Sequence, residues 1–247
     1  MKMSTTQMVL SNAVTNNRQI ISAVVGSRLH GNARPDSDTD LHSVHIAPTM
    51  SFAGLGTPPP SSVRHSSEHT SWEVGHFCRL ALKGEMNTLE VLFAEDYQHK
   101  DDSWPATSLL TMRNSFLSRR IAPKWIGFAQ GQWYDVRNEL DGIHQHGGDP
   151  STVKKPAFHL IRVIDALGIA WETGTFNPRH PHPDKVTEWI EENHLGYTFL
   201  AQLQAVIDDA KERVGRIETP LPAEPETKVV EQYLRNVRAH YFFEEWT

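Results

Sequence analysis

Asp36, Asp38 and Asp40 alternate through ARPDSDTDL, and a Gly-Ser pair, Gly26 and Ser27, stands just upstream of them. On an extended chain, carboxylates two residues apart project from one face. Asp38 and Asp40 therefore form a platform for a hard divalent cation, and Mg2+ favours a few carboxylates completed by substrate oxygens and water. Gly26 lets the backbone approach a phosphate, and Ser27 adds an N–H group and a hydroxyl. The chemistry these types and spacings suit is metal-dependent phosphoryl or nucleotidyl transfer. Three competing chemistries fail. A P-loop needs Lys-Ser/Thr after its second glycine, where Asn32 and Ala33 stand. An EF-hand needs glycine at Leu41 and glutamate at Ala47. A dinucleotide fingerprint needs three glycines, and only Gly26 and Gly31 are present. The remaining alternative is a polar turn built from Pro35 and the aspartates.

The flanking pattern supplies elements to hold such a platform. Residues 20–25 are apolar and β-branched around Ser22 and Ala23, which predicts a buried strand ending at Gly26; 38–46 predicts a second strand. Residues 47–69 are rich in Pro, Gly and Ser and read as a surface excursion, with Pro58, Pro59 and Pro60 excluding helix. A short strand, TSWEV, precedes a helix carrying Phe77, Leu80 and Ala81 that Gly84 ends. The apolar run 88–94 around Glu90 closes the first half. Beyond Leu109 helices are predicted near 107–119, 122–140, 153–173, 183–193, 196–216 and 225–243, punctuated by Pro123, GGDP, NPRHPHP, Gly196 and TPLPAEP. A small α/β domain with acidic strand ends followed by a helical domain results.

Composition bounds the partners. A chain of 247 residues can bury a substantial core, and its apolar runs are too short for a membrane span. The N-terminus has no apolar core of leader length, and one cysteine, Cys78, forms no internal disulfide, so a reducing cytoplasm is the expected location. A formal charge of −6 argues against a protein that wraps duplex nucleic acid. The 14 histidines are scattered without the paired spacing of a zinc site.

With these residues in view, the chain resembles the DNA polymerase beta superfamily of nucleotidyltransferases, and within it the bacterial and phage "predicted nucleotidyltransferase" branch. Three blocks carry the resemblance in order: GSRLHGNARPDSDTD from Gly26, EVGHFCRLALKGEMNTLEVLF from Glu73, and KPAFHLIR from Lys155. The resemblance departs at His42 and Ser43, where many members resemble Arg-Gly. It implies an α+β fold, a small mixed sheet with helices (1–106) followed by a mostly α-helical C-terminal domain (107–247) that completes the substrate cleft. It also implies an enzyme that transfers a nucleoside monophosphate from an NTP such as ATP, with Mg2+ (or Mn2+), to an acceptor that is a small molecule, a nucleic acid or a protein.

On that reading Asp38 and Asp40 are the catalytic metal ligands and a third carboxylate joins them. Glu73, in an apolar-acid-apolar pattern, is the leading choice as ligand or general base, with Glu68 its competitor. Glu90, a single acid in an apolar run, fits a structural partner of a buried base. Gly26 and Ser27 seat the β and γ phosphates, and Arg28 and His30 either reach phosphate oxygens or are solvated. Lys155, His159 and Arg162 recur at steps of four and three, a basic line read as a triphosphate or acceptor clamp or as a solvated face. Two other functions are carried: a ribonuclease of the Arg-x4-His type from Arg235 and His240, and a nucleotide-binding sensor without turnover. Neither the acceptor nor the oligomeric state is legible.

Overall fold

The computed structural model describes residues 17–53, 55, 57–193 and 195–246; residues 1–16, on which the leader argument rests, lie outside them. The fold is α+β. Strand β1 (Arg18–Val25) is buried along Ile20 to Val25, as the apolar run predicts for an interior strand. Gly26 then turns the chain with φ +67 into a short helix α1 (Gly26–His30), which Gly31 ends at φ +89. Strand β2 (Asp40–Ile46) returns antiparallel to β1, pairing Val25 with Asp40 and Ala23 with His42. The glycine turn and the second catalytic-type acid are therefore neighbours at the same end of the sheet.

The 47–69 excursion is partly structured: a 3-10 turn (Thr49–Phe52) and strand β3 (Ser62–Arg64) lie within it. It returns into β4 (His69–Glu73), parallel to β2, and the five strands run β3-β4-β2-β1-β5, with β5 at Tyr97–Lys100. Glu73 ends β4 and its carboxylate accepts the Gly75 N–H at 2.8 Å, capping helix α2 (Val74–Ala81). The apolar run 88–94 belongs to helix α3 (Met86–Phe93), buried on nearly every side.

The helices follow closely where they are predicted. Helix α4 (Trp104–Thr111) starts and stops earlier than the predicted 107–119, because Pro105 suits a first turn and a 3-10 turn takes over at Arg113–Phe116. Helix α5 (Ile121–His146) accommodates Pro123 in its first turn and runs on to Gly147. Then come α6 (Lys154–Thr173), α7 (Pro183–Glu192), α8 (Tyr197–Arg216) and α9 (Thr227–Trp246). One apolar core joins the sheet to α2, α3, the first turns of α5, the far half of α6 and α9; a second lies among α5, α6, α7 and α8. Trp125 at the start of α5 donates its indole N–H to the Gly84 carbonyl at 2.9 Å, fastening the helical region to the sheet region. Among the described residues no helix is long and apolar enough to cross a membrane.

Candidate active site

A cleft of about 760 Å3 opens at the end of the sheet where β1 finishes and β2 begins. Gly26, Ser27, Asp36, Asp38 and Asp40 line one side, and Lys155, His159 and Arg162 of α6 line it too, with His30 and Glu90 between. The basic line on α6 and the acidic turn, more than a hundred residues apart in sequence, thus meet across one space.

Gly26 is required here twice over. Its φ of +67 lies in the region that a side chain disfavours, and a Cβ on it would stand 2.1 Å from Asp40 Oδ2. The carboxylate occupies the room a side chain would take. No hydrogen bond or ion pair engages the Asp38 or Asp40 carboxylate among the described residues. Two unpaired carboxylates in one cleft, Asp40 seated against Gly26, suit a cation that takes its other ligands from substrate and water. They do not make an all-protein cage: among the described residues no group of three or more His, Cys, Asp or Glu side chains is gathered to hold a metal.

Strand parity separates the two candidates for a third carboxylate. Thr70 pairs with His42 across β2 and β4, and Leu41 N–H donates to the Glu68 carbonyl at 2.7 Å, so Glu68, Thr70, Asp40 and His42 share the cleft face. Glu73 pairs with His45 on the opposite face. It is 3 % exposed, caps α2, and forms an ion pair with Arg238 of α9, whose guanidinium also lies 4.5 Å from the Phe52 ring centroid. The expectation that Glu73 stands with the aspartates is corrected by this parity: it does not line the cleft. Glu68 does; the hydroxyls of Ser67 and Ser66 bond its carboxylate and hold it below the usual carboxylate range.

Arg28 is likewise placed differently from the expectation. It turns away from the cleft and donates to the Ser37 carbonyl at 2.7 Å, bracing the loop that carries Asp36 and Asp38. His30 does reach the cleft, but its Nε2 is 2.9 Å from Glu90 Oε1. Arg162 Nη1 lies 3.0 Å from the same oxygen, an ion pair without hydrogen-bond alignment, since Nη1 and Nε keep no hydrogen-bond partner. All three residues are 3 % exposed. Burial alone would raise the Glu90 carboxyl, but Arg162 and His30 beside it reverse that and bring it down to about 2. Glu90 is thus the partner of a buried base that its apolar setting suggests, and it ties α1 to α6 through α3. His159 is pushed down to about 3, by burial first and then by the nearby Arg162 charge.

Several cleft residues carry no obvious sequence signal on their own. Asn87 lies in the second resemblance block, and Phe128 and Gln132 stand four apart on α5, so helical spacing gave the only hint of these two. Arg34 and Arg64 sit in segments that read as loops. On α9 Arg235 pairs with Glu231 and His240 with Glu244.

No curated protein matches the chain. Among solved structures, a nucleotidyltransferase-like protein from Exiguobacterium sibiricum 255-15 aligns at 11 % identity and a TM-score of 0.33, covering 94 % of this chain and 78 % of that one. The resemblance to the DNA polymerase beta superfamily is met by a family match spanning residues 3–218. The chain belongs to RlaP, the RNA repair pathway DNA polymerase beta family, in which the general chemistry is nucleotidyl transfer.

Proposed function

We propose that the protein transfers a nucleoside monophosphate from an NTP to an RNA end, releasing pyrophosphate, with Mg2+ or Mn2+ held by Asp38 and Asp40. The observation that carries this reading is the pair of unengaged carboxylates in the cleft, Asp38 on the loop and Asp40 against Gly26. The RNA acceptor is taken from the family's description. When bound at these aspartates, a divalent ion would neutralise charge on the triphosphate and on the attacking oxygen.

The chain's own residues do the rest by positioning. Gly26 and Ser27 offer N–H groups and a hydroxyl to the β and γ phosphates. Arg34, with no ion-pair partner among the described residues, adds positive charge at the cleft wall. Glu68, on the cleft face beside Asp40, accepts the proton of the acceptor hydroxyl as its oxygen bonds to the α-phosphorus and pyrophosphate leaves. Phe128, partly exposed in the cleft, gives the nucleobase an apolar face.

The test is pyrophosphate release and label transfer from α-labelled NTPs to RNA oligonucleotides, with Mg2+ or Mn2+. Asp38→Asn and Asp40→Asn should each abolish transfer while the circular dichroism melt stays within a few degrees of the parent. Transfer surviving in either variant would overturn the reading.

A further inference from the structure

The part of the cleft lined by His30, Glu90, His159 and Arg162 has features that a triphosphate seat at Gly26 and Ser27 does not use. Glu90 gathers His30 and Arg162. These two residues are almost fully buried, line the cleft, and keep Nδ1 of His30 and Nε of Arg162 without hydrogen-bond partners among the described residues. His159 Nδ1 is unpartnered as well. Buried polar atoms of this kind are costly unless something binds them.

Charge points to the sign of that ligand. Glu90 offsets Arg162, but Lys155 at the rim has no ion-pair partner among the described residues. Burial and the nearby Arg162 charge disfavour a proton on His159, and an anion beside it would oppose both. A triphosphate at Gly26 and Ser27 would be met by the divalent ions that Asp38 and Asp40 would hold, which leaves Lys155, His159 and Arg162 for a second anion.

Space points to where the rest of that ligand lies. A groove of about 400 Å3 shares Gln132, Lys155 and His159 with the cleft and runs out past Asp135, Asn138 and Thr152. Apart from Lys155 and Pro156 it offers hydrogen-bonding and acidic groups, which suit hydroxyls and base edges and disfavour a run of phosphates.

We propose that His30, His159 and Arg162, with Lys155 at the rim, form a subsite for a single terminal phosphate monoester on the acceptor, whose nucleoside lies in the adjoining groove. This rests on the nucleotidyl-transfer reading for the identity of the other ligand. The acceptor class is therefore a nucleoside or oligonucleotide end that carries a phosphate.

The experiment is calorimetric titration of adenosine 3′-monophosphate, adenosine 5′-monophosphate and adenosine into the protein, alone and saturated with α,β-methylene ATP and Mg2+. At least one monophosphate should bind the saturated protein at least about tenfold more tightly than adenosine, the size of one charge-assisted contact. His159→Ala, which strands no charge, should weaken that monophosphate at least about tenfold and leave the triphosphate analogue within about twofold. Lys155→Ala, at an exposed position, should weaken the monophosphate in the same direction. Adenosine binding as well as the monophosphates would overturn the subsite. Competition between monophosphate and analogue, or a His159→Ala defect confined to the analogue, would assign this wall to the γ-phosphate instead. If the analogue fails to bind at all, the nucleotidyl-transfer reading falls, and the titrations without analogue still decide whether this wall holds a phosphate.

Discussion

Replacing Gly26 with alanine tests whether the glycine turn sets the position of Asp40. Two costs follow from the geometry. Alanine at φ +67 is strained by about 1–2 kcal/mol, which would appear as lost stability. Its Cβ would meet Asp40 Oδ2 at 2.1 Å, so the carboxylate must retreat by about 1 Å merely to reach 3 Å. A misplacement of that size at a reacting centre costs roughly 100-fold in rate, or about 2.7 kcal/mol of barrier. Gly31 provides the control. It has φ +89, and a Cβ there would meet Pro183 Cγ at 3.1 Å and no carboxylate. In urea melts Gly26→Ala and Gly31→Ala should lose similar stability. In pyrophosphate-release assays under folded conditions, Gly26→Ala should lose about 100-fold and Gly31→Ala less than about tenfold. If Gly26→Ala turns over within about threefold of the parent, or if the two variants lose activity equally, the cradle argument is wrong.

Exchanging the two glutamates separates structure from chemistry. Glu73→Gln keeps an oxygen for the α2 cap but leaves Arg238 without its anion, so stability should fall by about 1–3 kcal/mol while turnover per folded molecule stays within about twofold. Glu68→Gln should lower turnover at least about tenfold with the melt unchanged. The opposite pattern would return the third-carboxylate role to Glu73. Acidification gives a further check. His45 and His159, held at about 4 and about 3 against 6.5, are neutral in the fold and protonate first in the unfolded chain, so the stability they confer is present above pH 6.5 and drains as pH falls toward 4 and 3. Each accounts for no more than roughly 2 kcal/mol between pH 6.5 and 5. Glu90, at about 2 against 4.5, adds a loss confined to the window between those values. Urea midpoints measured from pH 7 to pH 4 should therefore fall from about pH 6.5 downward, and His45→Gln should flatten the slope; a parent curve flat to pH 5 would refute the assignment.

Long-period features were legible in the sequence because they repeat. Each helix after Leu109 shows several turns of apolar spacing and ends at a glycine, proline or polar break, so its existence survives errors of a few residues at the ends. The strand leading into Gly26, and the acids two apart, were legible for the same reason. The short polar strands Ser62–Arg64 and Tyr97–Lys100 have too few residues for alternation to register. Met86–Phe93 is buried on nearly every side, and a run that is apolar all round looks alike as strand or helix.

The site was legible down to residue type but not to facing. Trp72-Glu73-Val74 marks an acid at a strand end, and the pattern is identical whether that acid enters a cleft or caps the next helix. What decides is the register of β4 against β2, which sets Thr70 beside His42 and so turns every odd residue of β4 to the reverse face. A single-residue slip would have brought Glu73 to the cleft side, and no local signal reports such a slip. Glu90 shows the complementary case. An acid inside an apolar run demands a buried base, and a basic line on a later amphipathic helix demands something to face; each half is visible alone. Their meeting through Arg162 depends on α3 and α6 packing in one core, which is a property of the whole chain. The cleft's catalytic-type groups lie where two such long-range pairings coincide, β1 with β2 at Gly26 and Asp40, and α3 with α6 at Glu90 and Arg162. Changes that loosen the second pairing should therefore act on the cleft without touching the aspartates.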